Sequence, residues 1–427
     1  WFDARDGEYR GSLVELEPGT AYEVKLTLSK GATEAITART WSENFRVKRT
    51  VDVSGKNHVV IGPEDSGDEQ GGYVVFTAPP GRNVIEGSDG HQSCVLVRQG
   101  VHHVIVRGLV LKNCKRWGVL IERDPRGSDK QTHDIVIEAN EISGWGGFAH
   151  RKPRLADLDP AVFCNYYRET DDARRPDRLI VQGNRIRDPR HATNPWHSAE
   201  HGRLHPYGPL GVAFARCGRN HVVRYNDISS SNGNYYMDGI GGGDNFSTAG
   251  FPWADSDIYG NRVSEVYDDG IEAEGGNRNV RIWGNRLDQV YVAIANAATT
   301  TGPLYVWRNV ELRAYDRGPF IKAGSRHPTA NGGRAYYFHN TAQHPQGPSA
   351  GIARAGGRLY NFVVRNNLWP ASRVDPADGP FDLGGKQVER IPNFNDRFAR
   401  PDAGAHQSGA PQMRFGAEAY RADRPAD

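Results

Sequence analysis

The chain has 427 residues, and 53 Lys and Arg stand against 51 Asp and Glu, a formal net charge of +2. Signs this balanced and interspersed are not the footprint of a nucleic-acid binder, and no run nears the ~18 consecutive apolar residues of a membrane span. An aromatic content of 10%, with 50 Gly and 25 Pro, excludes a disordered chain and suits many short strands joined by tight turns.

In chain order, residues 1–57 come first, with alternating segments in YRGSLVELEPGTAYEVKLTLS and ITARTWS. The run LEPGTAYEVKL resembles the closing strands of a fibronectin type III domain, but the segment is too short for a whole sandwich. It is expected to be a small β cap.

Over residues 58–370 one pattern recurs: a polar start, alternating apolar residues, then Asn and a short polar turn. It reads VHHVIVRGLVLKN, HDIVIEANEIS, RLIVQGNRI, HVVRYNDIS, SDIYGNRVS, RNVRIWGNRL, PLYVWRNVEL, RAYYFHNTA and RLYNFVVRNNLW. Asn261, Asn285 and Asn309 are spaced 24 and 24, and the next steps, to Asn340 and Asn366, are 31 and 26. Wider gaps at Asn140, Asn184 and Asn226 imply inserted loops. Period-two alternation means strands. A repeat this short cannot bury its own apolar face, so turns must stack. The expected fold is all-β, a right-handed parallel β-helix. Each Asn is expected to sit at a bend, tolerating the left-handed region and bonding its equivalents along the axis. A second strand follows in many turns (WGVLIE, MDGIGGG, DDGIEAEGG, YVAIANA, GPFIKAG), and these are expected to form one sheet. Residues 371–427 read as an extended C-terminal segment laid along the helix.

Four cysteines, Cys94, Cys114, Cys164 and Cys217, are not a disulfide framework. Cys94 and Cys114, about one repeat apart, are expected to stack as buried thiols in preference to pairing. The chain begins at Trp1 without Met, which fits a processed protein and a secreted or periplasmic home.

The chemistry concentrates where YMDGI (236–240) and YDDGI (267–271) fall on consecutive turns. Stacking brings Asp238 beside Asp268 and Asp269, since neighbouring strands lie under ~5 Å apart. In IEAEG, Ile271 and Ala273 point inward, so Glu272 and Glu274 point outward on the same face. Asp244 and Asn245 follow closely. Carboxyls this crowded cannot all ionise normally, which suits acid/base chemistry or a Ca²⁺ site. Glycines in GIGGGDN and DDGIEAEGG are expected to leave bare backbone for a sugar chain to approach.

These motifs resemble polygalacturonase-type glycoside hydrolases, which carry Asn-Thr-Asp-Gly on one β-helix turn, Gly-Asp-Asp on the next, then Gly-His-Gly and Arg-Ile-Lys. Here MDG (237–239), YDDG (267–270) and FIK (320–322) occupy the first, second and last places. The chain resembles the wider pectin-lyase-like superfamily of carbohydrate-active enzymes over residues 58–370. It also resembles uncharacterised secreted bacterial β-helix proteins in HPYGP, MDGIGGGDN and DDGIEAEGGNRNVRIWGN. The resemblance implies Asp238, Asp268 and Asp269 as catalytic carboxylates and Lys322 as a sugar-binding cation. The turn YVAIANA has no His, and Phe320 replaces the Arg.

Other candidates surround this patch. Lys322 is the single lysine between Lys152 and Lys386 in an Arg-rich stretch, a pattern suited to a titratable amine. Arg317 could clamp a carboxylate or sulfate. Among His191, His197, His201 and His205, Pro and Gly argue for a loop rather than a zinc helix, and His205 in HPYGP is the acid/base or sugar-contact candidate. Trp145, Trp196, Tyr235, Tyr236, Trp253 and Tyr267 are candidates for sugar stacking.

The sequence therefore predicts a monomeric, cofactor-free glycoside hydrolase acting on a polysaccharide. Its catalytic residues are Asp238, Asp268, Asp269 and Glu272, with Asp269 or Asp238 as the acid. His205, Asp244, Asn245, Glu274, Arg317 and Lys322 contact substrate. An inverting enzyme predicts an acid–base gap of about 6.5–9.5 Å. The rival is Ca²⁺-dependent β-elimination on a uronic acid, with Ca²⁺ at Asp268, Asp269, Glu272 and Glu274 and Lys322 or His205 abstracting the proton. The third reading is a glycan-binding β-helix without catalysis.

Overall fold

The computed structural model describes residues 1–88, 90–124, 129–147, 159–196, 205–324, 332–343, 351–355, 361–368, 381–383, 386–388, 404–407 and 410–422. The body is a parallel β-helix. One face is an eleven-stranded sheet that opens at Val47–Asp52 and ends at Phe362–Arg365. A second, seventeen-stranded sheet interleaves two series of strands. Every pairing between turns in both sheets is parallel, as between His102–Arg107 and His133–Glu138.

Register is visible as columns. Val59, Val95, Val119, Val162, Val212, Ile240, Ile271, Ile294, Ile321 and Ile352 pair in sequence, one per turn. All are buried and belong to the continuous core. β-Branched residues favour this geometry because they pack well on a pleated surface.

The corner after the eleven-stranded sheet carries a buried ladder: Asn140, Asn184, Asn226, Asn261, Asn285, Asn309, Asn340 and Asn367. Asn285 is typical. Its Oδ1 accepts from the Asn261 backbone N (3.0 Å) and Nδ2 (2.9 Å), and its Nδ2 donates to Ile258 O (3.0 Å) and Asn309 Oδ1 (2.9 Å). Two details differ from the sequence expectation. The last rung is Asn367, not Asn366. The left-handed residue is the one before each rung, with φ between 52° and 65° at Ala139, Gly183, Tyr225, Gly260, Gly284, Arg308, His339 and Asn366. The preceding residue takes the bend, which leaves the rung's amide aimed along the axis.

The cysteine expectation is overturned. Cys94–Cys114 and Cys164–Cys217 are both disulfides, with Cα–Cα distances of 5.4 and 6.3 Å. Each pair meets across the helix interior, at a separation where bonding needs no backbone movement.

The termini pack against this body. Ala21–Thr27 and Thr33–Arg39 form an exposed antiparallel hairpin. Near the other end, the helix Gly416–Ala422 docks on the outside of the ladder corner: Tyr420 Oη donates to Glu138 Oε2 (2.6 Å), and Gly416 N donates to Gly260 O (2.7 Å).

Asn285→Ala should strand Asn261's donors and the Ile258 carbonyl in a dry interior. We expect a loss of about 2–4 kcal/mol in urea unfolding, and a loss below about 1 kcal/mol would show that the ladder does not hold the register.

Candidate functional site

The acidic residues lie on the second sheet, where its two strand series fuse. Arg262–Glu272 and Arg286–Asn296 are single eleven-residue strands. Val266 pairs with Val290 and Asp269 with Val292, so Tyr267 and Asp268 together oppose the single Tyr291. This bulge inserts one extra residue, and such insertions redirect side chains. Its effect is that the consecutive Asp268 and Asp269 reach one cluster, although alternation alone would send them to opposite faces.

The preceding turn supplies Asp238. Asp268 N donates to Met237 O (3.0 Å) and Gly239 N to Asp269 O (3.1 Å), and Asp238 Oδ1 accepts from Asp269 N (3.1 Å). Ile271 and Ala273 enter the core, which leaves Glu272 and Glu274 on the opposite side with the aspartates. Two triads result, Asp238/Asp268/Asp269 and Asp269/Glu272/Glu274, each with one oxygen per residue within 4.8 Å of the others. Asp269 is common to both.

Lys322 closes the second triad. Its Nζ lies 2.7 Å from Asp269 Oδ2 and 3.1 Å from Glu274 Oε1. The outward column runs Glu272, Ala295, Lys322. The small Ala295 between them leaves the space over which Lys322 bends back two turns. Glu272 is fixed by Asn245 Nδ2 at 2.8 Å. On the first triad, Asp268 accepts from Trp196 Nε1 (2.9 Å) and lies 3.2 Å from His205 Nε2, while His205 Nδ1 faces Pro206 O at 2.7 Å.

All five carboxyl residues are buried, so the patch is a recessed cluster and not an open rim. Burial first, and then Glu272, Asp268 and Asp269, push Asp238 well above the usual carboxylate range. Burial and Asp268 do the same to Asp269, against the pull of Lys322. Glu272 is pushed up to about 8 by burial and by Glu274. Burial opposes the Lys322 charge, but Asp269 and Glu274 outweigh it and hold the ammonium well above an ordinary lysine. A proton-abstracting Lys322 does not fit that setting.

Other candidates fall elsewhere. Asp244 is clamped by Arg216 through bonds of 2.9 and 3.0 Å, so it braces its loop. Arg317 is exposed in a left-handed turn (φ 59°), outside both triads. Phe320 is core. Trp145 and Tyr236 are also core, and Trp253 packs on Arg175. His197 and His201 lie outside the described residues. The glycines do not form an open floor: a Cβ at Gly239 would lie 2.3 Å from Val263, at Gly242 2.2 Å from Phe251, and at Gly275 2.1 Å from the Gly250 carbonyl. Their role is close packing of neighbouring turns.

Two participants, Ala295 and Tyr315, were not singled out by the sequence, and Trp196, a stacking candidate, has a different role. Trp196 as a donor to Asp268 needed the loop's path, Ala295 has no chemical signal of its own, and Tyr315 joins Tyr235 and Tyr267 in a ring cluster at centroid distances of 4.4–6.0 Å.

A cation is tested by the same geometry. Asp238 Oδ2 and Asp269 Oδ1 are buried without a hydrogen-bond partner, and hard cations such as Ca²⁺ take carboxylate oxygens. The first triad fits such an ion. Asp269, Glu272 and Glu274, three of the four Ca²⁺ ligands expected from sequence, form the second group that could hold an ion, with the Lys322 ammonium against Asp269 and Glu274.

No protein-family model and no curated protein matches the chain. Among solved structures, the crystal structure of a Dettilon tailspike protein is similar with a TM-score of 0.26 and 15% identity, over 71% of this chain and 66% of that one. The match thus spans just under two thirds of the tailspike. A mutant of the periplasmic alginate epimerase AlgG is similar with a TM-score of 0.19 and 12% identity, over 71% of this chain and 83% of that one.

The raised Glu272 makes a sign-definite prediction. Between its ordinary value of 4.5 and about 8, the unfolded chain is ionised there while the folded protein keeps the proton. The folded state binds more protons, so stability falls as pH rises through that window. Glu272→Gln should flatten the decline and raise the melting temperature at pH 8. An unchanged slope in melting curves from pH 5 to 8.5 would refute the assignment.

Proposed function

We propose that the chain is a polysaccharide-degrading glycoside hydrolase whose acid is Glu272 and whose base is Asp268. The observation that carries this is the Glu272 carboxyl, pushed up to about 8 by burial and Glu274, in one cluster with Asp268, which accepts from Trp196 Nε1 and lies 3.2 Å from His205 Nε2. Hydrolysis of a glycosidic bond needs that pairing of a proton donor with a charged partner. This moves the acid from Asp269 or Asp238. Asp269 is engaged by Lys322, and Asp238 is anchored to the backbone beneath it.

Oxygens inside one triad approach within 4.8 Å, shorter than the water-filled gap of an inverting enzyme. An acid and base separated by water must therefore come one from each triad, as Glu272 and Asp268 do. In this reading Glu272 delivers its proton to the leaving oxygen, and Asp268 takes one from the attacking water. Lys322 and Asn245 keep the second triad in place. The two disulfides fit an oxidising compartment, in line with a secreted or periplasmic protein.

The unpartnered oxygens of Asp238 and Asp269 favour one second reading, a Ca²⁺-dependent lyase with the ion held by Asp238, Asp268 and Asp269. With Lys322 held protonated, His205 remains as its proton abstractor.

Digestion of uronate, sulfated and neutral polysaccharides separates these readings. The hydrolase predicts new reducing ends without unsaturated-product absorbance, unaffected by chelator. Unsaturated product that disappears with chelator would establish the lyase, and binding without cleavage would establish a glycan-binding module. Glu272→Gln should lower turnover by about 10²–10⁴-fold, and wild-type activity should fall as pH rises past about 8. Full activity in Glu272→Gln would remove Glu272 as the acid.

A further inference from the structure

A second recessed surface lies on the eleven-stranded face, away from the acidic cluster. Tyr259 and Trp283 sit on consecutive turns and stack at 4.3 Å with planes 7° apart, and Trp307 continues the stack at 5.6 Å. Tyr259 and Trp283 together wall two cavities. The larger, about 610 Å³, lies between this ladder and the segment 410–414, and is also lined by Tyr225, Arg308, Gln412 and Arg414. The smaller, about 230 Å³, continues toward the N-terminal segment and is lined by Trp41, Glu43, Arg178 and Arg224.

The charge is one-sided in the larger of the two cavities. The larger cavity has Arg308 and Arg414 and no carboxylate among its described lining residues. In the smaller one the charges balance: Arg224 is paired with Glu43, Arg178 with Asp134, and Asp257 with Arg281 at 2.6 Å. Arg178 lies 4.0 Å over the Trp41 ring, and Trp41 is 59% exposed. Corner backbone is bare within it, since a Cβ at Gly284 would meet nothing within 4 Å. Volume, aromatic walls and a few convergent polar groups are the make-up of a ligand site. Guanidinium forks select carboxylates and sulfates, and aromatic edges and hydroxyls suit an amphipathic ring.

We propose that this trough is a second glycan-binding site, taking a short stretch of an anionic polysaccharide, uronate or sulfated, remote from the acidic cluster. The choice of a glycan over an acidic peptide rests on the reading of the acidic site; the trough and its charge do not. Held there, a polymer would stay on the protein between encounters with the catalytic face, since tethering raises effective concentration.

The test is calorimetric titration of the full chain with an oligogalacturonate hexamer, a sulfated hexasaccharide, a neutral cellohexaose and a poly-glutamate peptide. Each is repeated with Arg308→Gln/Arg414→Gln, with Arg414→Gln alone and with Asp268→Asn. We expect an anionic hexamer to bind in preference to cellohexaose and the peptide. The double variant should weaken it about tenfold, as for one lost charge-assisted bond. Arg414→Gln, on an exposed segment, should weaken it in the same direction, with the melting temperature of each variant measured alongside. Asp268→Asn should leave this binding in place, so the trough stands or falls separately from the proposed catalysis. Equal binding of neutral and anionic hexamers, preference for the peptide, no binding at all, or binding lost in Asp268→Asn but retained in the arginine variants would each overturn the proposal.

Discussion

The structure depends on register between successive turns. A parallel strand that slipped by one residue would turn its apolar side outward, and no hairpin geometry pins these strands. What pins them is the asparagine ladder. Each rung satisfies a backbone N–H and an amide of the rung before it and a carbonyl inside the turn, all in a dry interior. An unmade bond there is costly, so a slip is penalised at every turn. The columns of Val and Ile then fill the core behind a register already set.

That same register creates the electrostatic problem at the acidic cluster. Stacking two similar Asp-Gly turns, with a bulge in the second, places five carboxyl residues and one lysine in a recessed cluster with little exposure to water. A fold selected for stability alone would not assemble them, because buried charge is unfavourable unless it is paired. Lys322 compensates part of it at Asp269 and Glu274, and burial among like charges raises Asp238 and Glu272 above the usual carboxylate range. Strain of this kind, kept by a rigid scaffold, is a common property of catalytic sites.

Several parts of this were legible in the chain. The 24-residue spacing of Asn261, Asn285 and Asn309 announced the stack, because only solenoids repeat on that scale. The likeness of YMDGI and YDDGI placed Asp238 by Asp268 and Asp269, and alternation placed Glu272 and Glu274 beside them. Other parts were not. The disulfide between Cys164 and Cys217 joins residues 53 apart in sequence, and a turn interrupted by an insertion hides that proximity. The glycines read as open floor, yet neighbouring backbone fills the space at Gly239, Gly242 and Gly275.

The sequence by itself determined the repeat, the strand direction and which residue types share a face, since these follow from local period and spacing. Tertiary structure alone decided how deep the acids lie, that Lys322 reaches them across Ala295, and that Trp196 and His205 grip Asp268. Those are properties of three-dimensional neighbours. A residue's burial and its charge partners are set by elements dozens of positions away, and no local pattern encodes them.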